Sequence, residues 1–63
     1  MDGQGEVYLT PQQVADRFQV SYDVLKRWRR DGSGPPWLTL GRLVRYRLSD
    51  VDTWAAEQAQ RAS

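Results

Sequence analysis

LTPQQVADRFQVSYDVLKRWRRDGSGPP, residues 9–36, holds the signals that decide the fold. It begins with Thr10 as a helix cap and Pro11 at the first helical position, and Gln13 completes a Thr-x-x-Gln capping box. Ser21 is a second capping residue, which follows after about two helical turns. The stretch therefore predicts two short helices joined by a tight connection.

The second helix has one apolar face and one basic face. At about 100° per residue, Val24, Leu25 and Trp28 fall within one arc of roughly 100°. The opposite arc carries Tyr22, Asp23, Lys26 and Arg30, and it is flanked by Arg27 and Arg29. The helix is expected to end soon after Arg30, at Gly32, Pro35 and Pro36. Two helices this closely connected form a helix-turn-helix, with Val20 packing in the turn.

Formal charge is unevenly divided along the chain. Segment 24–48 carries seven basic residues and one acidic residue, whereas the rest carries two basic and seven acidic residues. The net charge is only +1. Such segregation gives the folded molecule a positive side, which is what counterion release from a nucleic acid requires.

The segment WLTLGRLVRYRL, residues 37–48, predicts a β-hairpin with its turn around Gly41-Arg42. A two-residue loop would pair Leu40 with Leu43, and Trp37 with Tyr46, which leaves apolar residues on both faces. A three-residue loop at 41–43 gives an apolar face of Leu38, Leu40, Val44 and Tyr46 and a second face of Trp37, Thr39, Arg45 and Arg47. We favour the three-residue loop because it buries one apolar set. The strain of a left-handed Leu43 keeps the two-residue loop open.

The segment SDVDTWAAEQAQRAS, residues 49–63, predicts a last helix. Ser49 is the expected N-cap and Asp52 the acid of its capping box. The inner stripe is expected to be Val51, Trp54, Ala55 and Gln58. Asp50 and Asp52 fit partners of the cap and the helix dipole better than a carboxylate pair for metal binding. The fold class is therefore α+β, mainly α, with a flexible segment at 1–6, a domain at 7–60 and a tail at 61–63.

The composition excludes several classes of function. The 63 residues make one domain and include no cysteine and no histidine, which removes disulfides, thiol nucleophiles and zinc-finger ligands. No nucleophile–base pair or metal cluster can be assembled, so we expect no catalytic residue, no enzyme activity and no cofactor. Because no signal peptide or membrane span is recognisable, we expect a complete, soluble intracellular chain.

Several motifs, in this order and spacing, resemble a known family. They are LTPQQVA, VS before the second helix, LKRW, the glycine–proline break, LGRLVRYR in the hairpin and SDVDTW at the last helix. From about Tyr8 to Glu57 the chain resembles the small winged-helix excisionase-type DNA-binding proteins, relatives of the DNA-binding domain of MerR-type regulators. The resemblance implies that the second helix enters the major groove and that the hairpin is a wing over the backbone or minor groove.

The resemblance also implies partners. The expected function is that of an excisionase, or recombination directionality factor, which binds adjacent sites on attachment DNA, bends it and assists an integrase. The expected partners are double-stranded DNA, an integrase and further copies of the chain on DNA, in the bacterial cytoplasm, with no membrane or small-molecule ligand. A small phage or plasmid transcription regulator and a protein-interaction module with a basic face are the alternatives. The absence of a long C-terminal coiled coil and of an effector domain argues against a ligand-sensing regulator.

The candidate DNA-binding residues lie in two groups. Those of the recognition helix are Ser21, Tyr22, Asp23, Lys26, Arg27, Arg29 and Arg30, and those of the wing are Arg42, Arg45 and Arg47. Lys26 and Arg30 are the best candidates for guanine O6 and N7, whereas Arg27 and Arg29 suit phosphates. Asp23 fits dipole compensation equally well, and wing arginines can also serve to discourage aggregation at a sheet edge. Trp28 and Trp54 are expected in the core, and Trp37 beside the arginines.

Overall fold

The computed structural model describes residues 6–62 and contains three helices and a three-stranded antiparallel sheet. The order of elements is β1 (Tyr8–Leu9), α1 (Pro11–Phe18), α2 (Tyr22–Asp31), β2 (Leu38–Leu40), β3 (Leu43–Arg47) and α3 (Leu48–Ala62). This mainly helical arrangement, with a hairpin between α2 and α3, confirms the expected winged helix-turn-helix. The expected flexible segment at 1–6 lies, apart from Glu6, outside the described residues.

Helix α1 begins with the capping box that the sequence predicts. The Thr10 hydroxyl accepts a hydrogen bond from the Gln13 N–H at 3.0 Å, and the Gln13 side chain accepts one from the Thr10 N–H at 2.8 Å. The helix ends at Phe18, and the C-cap residue Gln19 has the left-handed φ of 59°. Its N–H donates to the Asp16 carbonyl at 3.1 Å, and so the chain turns within three residues into α2.

Helix α2 also has the expected bounds. The Ser21 hydroxyl accepts from the Val24 N–H at 3.4 Å, and the helix ends at Asp31, followed by the C-cap residue Gly32 with a φ of 77°. A serine cap and a left-handed glycine are the start and stop that these residue types favour. Helices α1 and α2 pack against each other, which completes the helix-turn-helix.

The hairpin has the two-residue loop, so the favoured three-residue loop is wrong. Leu40 pairs with Leu43, Thr39 with Val44, and Leu38 with Arg45. Gly41 has a φ of 66°, so the glycine takes the left-handed conformation at the first loop position, as in type II′ turns. The three-residue loop would have imposed that conformation on Leu43 instead.

This register also corrects the predicted faces of the hairpin. The inner face carries Tyr46, which is buried, and Val44, which is partly buried against the core. Leu40 lies on the outer face with Leu43, not on an apolar inner face. Leu38 pairs with Arg45, so it also lies on the outer face and not on the predicted apolar face.

Strand β1 is a feature that the sequence analysis did not predict. Tyr8 pairs with Arg47 and Leu9 with Tyr46, which gives the sheet order β1-β3-β2. The Val7 carbonyl accepts from the Leu48 N–H at 2.8 Å. The short strand thus holds the start of the domain against the junction of β3 and α3.

The expected cap of α3 is wrong. The helix begins at Leu48, so Ser49 is its second residue, and the Ser49 hydroxyl donates instead to the carboxylate of Glu6 at 3.1 Å. Asp52 pairs with Arg17 of α1 at 3.5 Å. The helix also continues to Ala62, through the start of the segment that the sequence analysis assigned to a tail.

The core draws on every helix and on β3. Its buried residues are Val14, Ala15, Leu25, Tyr46 and Val51. Beside them the rings of Phe18, Trp28 and Trp54 form a cluster with centroid distances of 5.2 to 6.5 Å. Trp28 and Trp54 are therefore packing residues, as expected, and they fix α2 and α3 to the end of α1.

Candidate nucleic-acid interface

The outer face of α2 brings four of the predicted residues together. Asp23, Lys26, Arg27 and Arg30 line a shallow depression of about 500 Å³. Their spacing of three, four and seven residues places them on one side of the helix, and Leu25 on the other side is completely buried. Burial of the apolar face thus forces the charged side chains into solvent. We call these four residues the α2 face.

An aromatic side chain lies beside the α2 face at the start of the helix. Tyr22 is 41% exposed, and the Lys26 ammonium lies 5.8 Å from the centre of its ring. This is a cation–π contact between residues one helical turn apart. Asp23 lies in the first turn, where its charge complements the helix dipole, and Ser21 caps the helix. Ser21 and Tyr22 therefore border the α2 face at its N-terminal end.

Within residues 6–62, most of the positive charge of the α2 face is not neutralised by acidic side chains. Among residues 6–62, Lys26 and Arg27 have no ion-pair partner, and Arg30 contacts only the neighbouring Asp31, at 3.2 Å. The Arg30 and Asp31 side chains are 72% and 49% exposed, so water screens that pair strongly. An external anion can therefore compete for all three cations.

Arg29 is placed differently from the other cations of α2. It is partly buried, and its Nη1 donates to the Tyr46 hydroxyl at 3.5 Å. Partial burial lowers the pKa of the Arg29 guanidinium, but hydrogen bonds to Tyr46 and Tyr22 raise it by more, so the net pKa is raised. Arg29 thus links the helix to the hairpin, whereas the sequence analysis expected it at a phosphate.

The three arginines of the hairpin differ in their internal contacts. Arg47 Nε donates to the Asp50 carboxylate at 2.9 Å, and this bond is the main cause of the raised pKa of Arg47. Arg45 is partly buried and donates to the Val44 carbonyl at 2.7 Å. Arg42 lies exposed in the loop and has no side-chain partner among the described residues. Of the three hairpin arginines, Arg42 is therefore the one that the described part of the chain leaves fully available to an external anion.

Tyr46 has a polar contact that the sequence pattern did not predict. It was expected only as an apolar wing residue, yet its ring is 1% exposed and its hydroxyl accepts the hydrogen bond from Arg29. The signal in the sequence was the phenol itself, because a buried tyrosine hydroxyl usually has a polar partner. Its partner could not be read from local spacing, since the two residues are 17 positions apart.

The chain matches the model of one protein family. The family is described as a helix-turn-helix domain, and the match covers residues 8–59. The protein belongs to this family of small excisionase-like DNA-binding proteins. No curated protein matches the chain. This match confirms the resemblance to small excisionase-type DNA-binding proteins over residues 8–59, from β1 into the last turns of α3.

Family membership and the exposed basic helix agree on the activity of the domain. The protein binds DNA in a sequence-specific manner through its helix-turn-helix. Within residues 6–62 no group of histidine, cysteine or acidic side chains is arranged to hold a metal ion. None of the described helices is long and apolar enough to cross a membrane.

Proposed function

We propose that the α2 face enters the major groove and reads the DNA. The observation that carries this proposal is the exposure of Lys26, Arg27 and Arg30 on one side of a helix whose other side is locked into the core. Lys26 and Arg30 donate to guanine O6 and N7, and Arg27 contacts phosphate. Tyr22 and Asp23 stand near the base edges, and Ser21 near the backbone.

The hairpin supplies the second contact with DNA. Arg42 enters the minor groove or contacts its phosphates, since it is exposed and has no internal partner within 6–62. Arg45 and Arg47 support it from the strand, where their charges raise the local potential without leaving their present hydrogen bonds. Arg29 holds the helix and the hairpin together, in contrast to the phosphate contact first expected.

The protein acts as an excisionase-like architectural factor. Its described part extends only 37 × 26 × 20 Å and carries one recognition helix, so a single copy covers a short DNA site. Single modules of this kind bury little surface and bind weakly, which favours cooperative binding of several copies on adjacent sites. Bent attachment DNA coated in this way would present the proper geometry to an integrase. The protein contributes binding alone, without catalysis or a cofactor, in the bacterial cytoplasm.

A recombination assay tests this role. The assay combines a plasmid carrying the two attachment sites of the element that encodes the protein with the integrase of that element. Addition of the protein should switch the reaction to excision, and the K26Q/R30Q variant should not support it although it remains folded. Excision that proceeds equally well without the protein would contradict the proposal.

A small transcription regulator is the alternative that uses the same surface. Footprinting on an attachment site and on the promoters of the same element separates the two. Protection of several adjacent sites at the attachment site supports excision, whereas protection of a single promoter operator supports regulation. A protein-interaction module is the third candidate, and it predicts DNA retention that is absent or insensitive to salt.

A further inference from the structure

The tip of the hairpin carries a pair of exposed leucines. Leu40 and Leu43 lie directly opposite each other, on the two sides of the Gly41-Arg42 loop, and are 48% and 55% exposed. β1 pairs with β3 only at Tyr46 and Arg47, which is the other end of that strand. The leucines therefore form an apolar surface at the end of the hairpin farthest from β1.

The core does not use this leucine pair. The residues of β3 that pack inward are Val44 and Tyr46, and alternation puts Leu43 on the opposite face of the sheet. A single exposed leucine is ordinary on a protein surface. Here two leucines adjoin Arg42, the hairpin arginine that lacks an internal partner among residues 6–62. The tip of the hairpin therefore combines an apolar surface with a free positive charge.

We propose that Leu40 and Leu43 form a wedge that enters the minor groove beside Arg42 and bends the DNA. The proposal rests on the proposed function of the α2 face and adds a second, apolar contact to it. The minor groove is about 6 Å wide, so it admits side chains but not a helix, and its negative potential attracts arginine. Apolar side chains, leucine among them, partly unstack base steps there and kink the duplex.

Charge favours DNA over a second copy of the chain as the occupant. The hairpin carries Arg42, Arg45 and Arg47, and within the described part only Arg47 has an acidic partner. Two hairpins docked through their leucines would bring these like charges together, which opposes association. A DNA duplex supplies phosphates on both sides of the groove and neutralises the same arginines.

The test uses a labelled duplex selected from a random pool by the full-length protein. Affinity and end-to-end fluorescence energy transfer are measured for the wild type and for L40S/L43S. We expect the double variant to bind about ten-fold more weakly and to bend the duplex less, with an unchanged salt slope, because no charge is lost. L40M/L43M, which keeps the apolar surface, should bind and bend like the wild type.

Val7→Ser is the matched control. Val7 is 49% exposed, similar to the leucines, but it lies beside the opposite end of β3. Its substitution should change neither affinity nor bend. Thermal unfolding of each variant verifies that the fold is retained.

Three results would overturn the wedge. One is an L40S/L43S variant with wild-type affinity and bend, which removes the leucines from the DNA contact and leaves the proposed function of the α2 face intact if K26Q/R30Q still loses binding. Another is loss of cooperativity between adjacent sites with unchanged affinity and bend on a single site, which would make the leucines a contact between copies. Failure of the wild type to select any duplex would overturn the wedge and the proposed function together.

Discussion

The helix α2 and the β-hairpin are both basic, but they differ in how many of their cationic side chains have partners within the described residues. On the helix, Lys26 and Arg27 have no ion-pair partner among residues 6–62, and Arg30 has only a screened neighbour. On the hairpin, Arg45 is bound to a carbonyl and Arg47 to Asp50. A count of basic residues would rank the two regions as similar, whereas their contacts assign most of the available charge to the helix.

The largest loss of DNA binding is expected from substitutions on the α2 face. Lys26→Gln with Arg30→Gln should weaken DNA binding about 100-fold or more, because each removes a cation that can donate to a guanine edge. Because both contacts are to base edges and not to phosphates, the slope of log K against log salt should fall by less than about 0.9 per residue, the value for a lost phosphate contact. Binding titrations at several salt concentrations measure both quantities.

Arg17→Gln is the control for this double variant. Arg17 lies on α1, is also exposed and pairs with Asp52. Its loss should leave the salt slope unchanged. If R17Q and K26Q/R30Q affected DNA binding equally, the contrast between the helix and the rest of the surface would be lost.

The next prediction concerns the stability of the segment that connects α2 to the hairpin. Gly34 has a φ of 79°, and an added Cβ would lie 2.9 Å from Cε3 of Trp28. Gly34→Ala should therefore lower the free energy of unfolding by about 2–3 kcal/mol, through backbone strain and overpacking together. Gly32→Ala, with a similar φ of 77° but open space around it, should cost only about 1 kcal/mol. Equal losses in thermal or denaturant unfolding would show that the contact with Trp28 has no effect.

Within the hairpin, Arg42 and Arg47 are expected to differ. Arg42→Gln should weaken DNA binding about ten-fold and reduce the salt slope by about 0.9, because it removes a free ionic contact. Arg47→Gln should change the affinity by about two-fold at most, because Arg47 keeps its hydrogen bond to Asp50 at 2.9 Å and does not contact a phosphate directly. The same titrations decide this, and a larger effect of Arg47 would reverse the assignment of roles in the wing.

The smallest effect on DNA binding is expected from substitution of Arg29. Arg29→Gln should leave the salt slope unchanged, whereas Arg27→Gln should reduce it by about 0.9. Loss of the bond to Tyr46 should instead lower the free energy of unfolding by about 1 kcal/mol. A slope reduced as much by R29Q as by R27Q would restore the phosphate contact that the sequence suggested.

Local signals made the helix-turn-helix predictable from the sequence. The caps at Thr10 and Ser21 act over three residues, and the apolar arc through Leu25 follows the helical period. These features need no knowledge of the rest of the chain. The bounds of α1 and α2 and the outward side of the recognition helix therefore followed directly.

The predictions that proved wrong concern the hairpin register and the start of α3, which depend on more than short-range sequence signals. The hairpin register depends on whether glycine or leucine takes the left-handed conformation, and the cost at Leu43 outweighed the gain from a single apolar face. Ser49 is not the cap of α3 because Val7 accepts from the Leu48 N–H and Glu6 accepts from the Ser49 hydroxyl. Both partners come from the opposite end of the chain, where no strand was predicted.

The most direct test of the central claim is a map of the DNA contact by amide chemical shifts. The ¹⁵N-labelled protein is titrated with its selected duplex, and shifts are followed residue by residue. The largest changes should fall on residues 21–30 and 40–43, with little change along 55–61 of α3. Changes concentrated on α3, with α2 unaffected, would contradict the assignment of the α2 face as the surface that reads DNA.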